Sequence, residues 1–179
     1  MWKLGAALMG GAGLALLGGG CQGGGHGRGR SAQPAESRMK DQRNQVDRVL
    51  DELHDAASKA DGVRYFALFA PEAIFLGTDA TERWTLDQFK AYARPPFAAG
   101  RGWTYAVQQR HVGFGPDGRT AWFDESLTNA KLGLCRGSGA LVQSDSGAWQ
   151  IVQYNLTIPV PNELADELVR RIRQQDAPK

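Results

Sequence analysis

Residues 103–157 read WTYAVQQRHVGFGPDGRTAWFDESLTNAKLGLCRGSGALVQSDSGAWQIVQYNLT, and the fold turns on how this stretch is parsed. Apolar and polar residues alternate with a period of two through most of it, as they do in pleated strands. Gly115-Pro116-Asp117-Gly118 and Ser144-Asp145-Ser146-Gly147 interrupt the alternation with residues that favour tight turns. The pattern predicts four long strands over 103–114, 120–127, 132–143 and 149–157, joined as antiparallel hairpins. Neither side of these strands is cleanly polar. In the last, strict alternation puts Trp149, Ile151, Gln153 and Asn155 on one side and Gln150, Val152, Tyr154 and Leu156 on the other. In the second, Trp122, Asp124 and Ser126 oppose Ala121, Phe123, Glu125 and Leu127. A sheet with one solvated face alternates better than this. Both faces are therefore expected to be covered, one by helices and the other by a second copy of the chain in a homodimer.

Upstream, Val46, Val49, Leu50, Leu53, Ala57 and Ala60 recur at helical spacing and form one apolar stripe. Gly62 reads as the stop of that helix. Residues 63–69 form a short aromatic-rich helical run before Pro71, and residues 73–76 a short apolar strand closed by Gly77. Thr85 with Gln88 makes a capping box that opens a helix through Phe89 and Tyr92, and Pro95-Pro96 is expected to break it. Downstream, a helix over 162–174 is predicted, with Asn162 as its N-cap. Its acids Glu163, Asp166 and Glu167 come early and its bases Arg170, Arg171 and Arg173 late, as the helix dipole favours. Leu164, Leu168, Val169 and Ile172 form its apolar stripe. Helices first and then an antiparallel meander is an α+β layout, a curved antiparallel sheet roofed by N-terminal helices with an added C-terminal helix.

The composition agrees with one globular domain: 179 residues, 42% hydrophobic and 22% charged. Fifteen of the sixteen Phe, Trp and Tyr lie between Tyr65 and Tyr154, whereas twelve of the 23 glycines lie in residues 1–30, so the core belongs to the later part of the chain. The formal charge of +2 is unevenly spread, with +4 on residues 1–48 and −2 on residues 49–179. A mildly acidic body lacks the basic face that displaces phosphate counterions, so no nucleic-acid partner is expected.

The first residues read as an address. Lys3 is followed by an uncharged run over 4–17 rich in Leu, Ala, Gly and Met, about as long as the core of a signal peptide. Gly18-Gly19-Gly20 and then Cys21 follow, an order that resembles a bacterial lipoprotein signal in which the Cys is acylated. Gly18 stands where that signal usually has an aliphatic residue, and the competing readings are an ordinary secretory signal with an incidental Cys21 and an uncleaved anchor. Residues 1–20 are thus assigned as signal peptide, 21–44 as lipidated Cys and flexible stalk, and 45–175 as the folded domain. The expected location is extracytoplasmic, with membrane contact through the lipid anchor alone; acyl chains contribute about 0.8 kcal/mol per buried methylene. With Cys21 acylated, Cys135 has no disulfide partner and reads as a buried, inert thiol. His26 stands alone among glycines, and neither a metal site nor a cofactor is expected.

Two stretches carry a family resemblance: residues 75–85, FLGTDATERWT, and residues 149–157, WQIVQYNLT, with the following PVPNEL at 159–164. These, and the order of elements, are similar to bacterial SnoaL-like domains of the nuclear-transport-factor-2-like superfamily, over roughly residues 46–172. The resemblance implies a cone with an apolar pocket open at one end. It does not imply an activity, because the superfamily includes cyclases, dehydratases, isomerases, hydrolases and proteins that only bind ligands or partners.

Such a pocket needs apolar walls and a few convergent polar groups. Candidate walls are Tyr65, Phe66, Phe69, Trp84, Phe89, Trp103, Tyr105, Trp122 and Trp149, of which Trp84 and Tyr105 are taken as ligand-binding. Arg136, Gln153 and Asn155 are polar groups on strands that otherwise read as buried, and must pair with something: Arg136 with Glu125 across the sheet, or any of the three with a ligand. Asp79, on the loop after the short strand, suits either a turn or a general base. His111, the only His in the long strands, is the natural proton shuttle, with Asp124 or Glu125 as carboxylate partner. His54 lies on the first helix beside the apolar stripe and is a weaker candidate. The leading expectation is a lipid-anchored domain that binds a small apolar or carbonyl-bearing ligand. The alternatives are a proton-transfer enzyme of isomerase, dehydratase or hydrolase type, and a structural scaffold that docks a protein on its outer sheet face.

Overall fold

The computed structural model describes residues 35–175. The expected signal peptide, Cys21 and the stalk as far as residue 34 lie outside the described residues. Four helices, one 3-10 turn and six strands follow in the order α1 (Ala35–Ser58), α2 (Gly62–Ala67), β1 (Phe69–Leu76), β2 (Arg83–Thr85), α3 (Leu86–Ala98), β3 (Ala106–Phe114), β4 (Thr120–Asn129), β5 (Gly133–Gln143), β6 (Trp149–Thr157), the turn Asn162–Leu164 and α4 (Ala165–Gln175). Helix α1 begins within the segment read as stalk. None of the described helices is long and apolar enough to cross a membrane.

The strands form one curved, unclosed sheet in the order β2-β1-β6-β5-β4-β3. The four long strands pair as antiparallel neighbours, as the alternation predicts. The sheet is nevertheless mixed, because β1 runs parallel to β6. The inner face and the helices α1 to α3 share one core, with Val46, Leu50 and Leu53 of α1 against Phe89 of α3 and Leu127, Leu141 and Ile151 of the sheet.

Three local expectations are corrected. Helix α1 stops through Ala60, in the left-handed region at φ 54°, and not through Gly62. Asp61 N–H donates to Ala56 O at 2.9 Å to close the helix end, and Gly62 begins α2, whose N-cap is Asp61. Pro95-Pro96 does not break α3, which continues to Ala98. The two prolines remove two helical bonds, but the extra turn seats Phe97 against Trp103 at 4.5 Å and Tyr65 at 5.8 Å between ring centroids. Asn162 does not cap the last helix: it opens the 3-10 turn, and no side chain caps that turn. The capping box at Thr85 forms as expected, with Gln88 N–H donating to Thr85 Oγ1 at 3.4 Å and Thr85 N–H to Gln88 Oε1 at 2.9 Å.

Bulges decide which face each residue takes. The β3–β4 register shifts between Val107 and Gln109, and the β5–β6 register shifts between Ala140 and Leu141, opposite Val152. One extra residue inverts the in–out sequence of everything beyond it. Strict alternation through 149–157 therefore fails: Ile151 and Tyr154 are both buried on the inner face, and Gln153 and Asn155 turn outward.

Candidate functional site

The inner face of the sheet and its helical roof enclose a cavity of about 620 Å³. Aromatic rings make most of its wall: Tyr65 from α2, Phe75 from β1, Trp84 from β2, Phe89 and Tyr92 from α3, and Trp103, with Tyr105 and Tyr154. Several lie nearly parallel. Trp84 and Phe89 are inclined by 7°, Phe75 and Phe89 by 20°, and Phe75 and Tyr154 by 10°. The half-buried Glu82 and the exposed Lys131 also border the cavity. Trp103 is brought to the wall by the preceding Gly102: a Cβ there would collide with Ala57 O, and Trp103 N–H donates to that same carbonyl at 3.2 Å.

One group of polar residues lies at the cavity and beneath it. His54, one turn after Leu50 on the buried face of α1, borders the cavity. Its Nε2 lies 2.8 Å from Glu125 Oε2. Glu125 stands on the inner face of β4 with its side chain 0% exposed. Directly opposite on β3, Arg110 donates from Nε to Glu125 Oε1 at 2.6 Å. Arg110 Nη1 reaches Asp51 Oδ1 at 2.9 Å and Asp47 O at 3.1 Å on α1. Each oxygen of the buried carboxylate thus has one strong donor, as a charge removed from water requires. Burial works against the charge of Arg110, but Glu125 and Asp51 outweigh it and hold the guanidinium pKa above its usual value.

The hydrogen bond also orients the imidazole. A carboxylate can only accept, so His54 Nε2 carries the proton of this bond, and in the neutral imidazole Nδ1 carries the lone pair. Among the described residues Nδ1 has no hydrogen-bond partner. Tyr154 on β6 supplies a second group at the same place. A Cβ on Gly137 of β5 would stand 2.5 Å from Tyr154 Oη and 3.1 Å from Glu125 Oε2, so the phenol and the carboxylate share the space that this glycine leaves open. Burial, then the neighbouring Glu125, pushes the Tyr154 phenol well above its ordinary pKa, so it remains a proton donor. Among the described residues no group of three His, Cys, Asp or Glu side chains is placed to hold a metal ion.

The residues singled out in the sequence divide between the two faces. Trp84 and Tyr105 border the cavity. Glu125 lies beneath it, but its partners are Arg110 and His54. Arg136 is opposite Ser126 rather than Glu125 and faces outward. His111 and Asp124 do stand directly opposite one another, on the outer face. With Arg136 and Pro159 they border a shallow recess of about 210 Å³. Gln153 and Asn155 also face outward, opposite Ala140 and Ser138. The bulge between Val107 and Gln109 is the reason that His111 does not share a face with Tyr105. Asp79 sits in an exposed turn, where its Oδ1 accepts from Thr81 Oγ1 at 2.6 Å and Thr81 N at 2.8 Å. Those bonds hold its carboxyl below the usual range and account for the residue as a turn former. Of the expected walls, Trp122 is on the outer face, Phe66 and Phe69 belong to the core outside the cavity lining, and Trp149 packs against Phe114 at 5.9 Å, also outside it.

Residues 46–161 match the family of SnoaL-like domains. The chain belongs to that family. The SnoaL-like domain has many solved structural counterparts of low sequence identity. One from Novosphingobium aromaticivorans, provisionally named a scytalone dehydratase, is similar with a TM-score of 0.60 and 12% identity, over 70% of this chain and 89% of that one. A Caulobacter vibrioides protein with a cystatin-like fold gives 0.59 and 14%, over 73% of this chain and 99% of that one. A second Novosphingobium protein, provisionally named an aromatic ring hydroxylase, gives 0.56 and 16%, over 72% and 92%. These likenesses establish the fold. No curated protein matches the chain.

Proposed function

We propose that this SnoaL-like domain takes a small, flat, carbonyl-bearing molecule into its cavity and moves a proton on it with His54. The observation that carries this reading is the pairing of His54 Nε2 with the wholly buried Glu125 at 2.8 Å, at the wall of an aromatic-lined cavity. The parallel rings offer a flat apolar surface to a flat ligand. His54 Nδ1 takes a proton from the carbon next to the carbonyl, and the Tyr154 hydroxyl donates a hydrogen bond to the oxygen on which charge develops. Returning the proton to another carbon completes an isomerisation. Delivering it to a departing hydroxyl releases water, a dehydration like that in the name of the first Novosphingobium protein. Arg110 holds Glu125, and Glu125 holds the imidazole; neither needs to touch the ligand.

The test has two arms. Bicyclic aromatic ketones are screened for thermal stabilisation of the chain, and ligands that bind are followed by proton NMR in D2O for exchange at the carbon next to the carbonyl. Binding with exchange, lost in His54→Gln, is the expected result. Binding without exchange removes the catalytic role and leaves the ligand-binding domain that the sequence alone favours. No binding by any ligand of this class counts against both.

We also propose an extracytoplasmic, lipid-anchored location, supported by the apolar run over residues 4–17 and Cys21. Mass spectrometry of the native N-terminus is expected to find an acylated Cys21 as the first residue. An unmodified mature terminus elsewhere refutes it.

A further inference from the structure

Among the described residues Glu82 is the one Asp or Glu that lines the cavity itself, Glu125 lying beneath it. The turn between β1 and β2 builds its place. Glu82 O accepts from Gly77 N–H at 2.9 Å, and Glu82 N–H donates to Asp79 O at 3.0 Å. The side chain folds back over Gly77, where a Cβ would collide with Glu82 Oε2. That oxygen accepts from Asp79 N–H at 3.1 Å. Among the described residues Oε1 has no hydrogen-bond partner, and no Lys, Arg or His pairs with the carboxylate. One oxygen is committed to the turn and the other is left open. A half-buried carboxylate with an open acceptor, set among apolar walls, favours a hydrogen-bond donor.

The strands fix where this group stands relative to the proposed chemistry. Tyr154, Phe75 and Trp84 are neighbours across β6, β1 and β2. Their rings form a row, with Phe75 inclined by 10° to Tyr154 and by 20° to Trp84. Gly77 lies two residues beyond Phe75, which puts its backbone about 8 Å from that of Tyr154. A flat ligand on this row, with its carbonyl at Tyr154 and His54, therefore turns its far end to Glu82. The face of Trp84, stacked on Tyr92 at 4.6 Å, suits a cation there as well.

We infer that Glu82 selects the ligand: the carbonyl compound carries a hydrogen-bond donor, a hydroxyl or a protonated amine, at the end opposite its carbonyl. This rests on the reading of the cavity proposed above. Calorimetric titration of the full chain at neutral pH compares 2-acetylnaphthalene with its 6-hydroxy, 6-aminomethyl and 6-carboxy derivatives. At least one of the two donors is expected to bind about tenfold more tightly than the parent, and the stronger names the class. The gain is expected to vanish in Glu82→Ala. For the amine it is expected to vanish already in Glu82→Gln, which keeps the acceptor for Asp79 N–H. Unchanged binding of the parent in both variants shows that the cavity is intact. Binding of the parent without a gain for either donor overturns this inference alone, as does a gain that survives Glu82→Ala. A gain for the carboxylate, lost in Lys131→Ala, also overturns it and assigns the selection to the exposed Lys131 at the same cavity. No binding by any of the four overturns the reading of the cavity as well.

Discussion

Replacing Glu125 by alanine strips the buried cluster of its central charge, and the cost follows from what is left behind. His54 loses its partner at 2.8 Å and Arg110 the one at 2.6 Å. Arg110 is 10% exposed, and its Nη2 is already buried without a partner, so water reaches the orphaned guanidinium poorly. Breaking a buried ion pair from one side costs about 3–5 kcal/mol. Asp51 and Asp47 still hold Nη1, which places Glu125→Ala at the lower end, about 3 kcal/mol. For a domain of this size that is a fall in Tm of roughly 10 °C. Removing both charges together behaves differently: Glu125→Leu with Arg110→Met fills the site with apolar volume and is expected within about 1 kcal/mol of wild type. Urea unfolding followed by far-UV circular dichroism measures both. A loss below about 1 kcal/mol in Glu125→Ala, or a double variant less stable than the single, would refute the view of this cluster as a paired charge isolated from water.

Gly137→Ala would place a methyl group 2.5 Å from Tyr154 Oη and 3.1 Å from Glu125 Oε2. Overpacking of this kind costs about 1–3 kcal/mol, and ligand stabilisation should be lost with it; a variant as stable as wild type that still binds shows that the space is not needed. Gly102→Ala meets Ala57 O, a backbone atom that cannot rotate away, so a loss of about 3 kcal/mol in urea unfolding is expected, and a neutral outcome contradicts the close approach of this loop to α1. Burial raises the phenols of Tyr65 and Tyr154 above their ordinary value and pushes that of Tyr105 up to about 12. In the unfolded chain these groups ionise near pH 10, so their contribution is intact below that pH and is lost as the pH rises through 10 towards 12 and beyond, by about 1.4 kcal/mol per unit for each tyrosine. Thermal unfolding between pH 9 and 11 should show Tm falling, less steeply in Tyr154→Phe; a flat profile contradicts the burial.

Much of the candidate site was latent in the sequence. His54 follows Leu50 by four residues and precedes Ala57 by three, so it belongs to the buried stripe of α1, and Arg110 shares strand parity with Val112 and Phe114. These were signals that two polar residues lie on an inner face. What concealed the site was the partner of each. His54 and Glu125 are 71 residues apart, and only the packing of α1 across β4 joins them. His111 and Asp124 looked the better pair because they are cross-strand neighbours, which they are, but on the outer face.

The strands, the helical roof and the family membership were determined by residue order alone, because hydrophobic period and turn chemistry are local properties of a chain. Inside against outside along β3 and β6 was decided only in three dimensions. A bulge shifts the pairing by one residue at a point fixed by how neighbouring strands fit together, and no alternation in a single strand records where that happens. The parallel entry of β1 and the convergence of His54, Glu125, Arg110 and Tyr154 on one space depend likewise on long-range packing, in which residues far apart in sequence compete for the same volume.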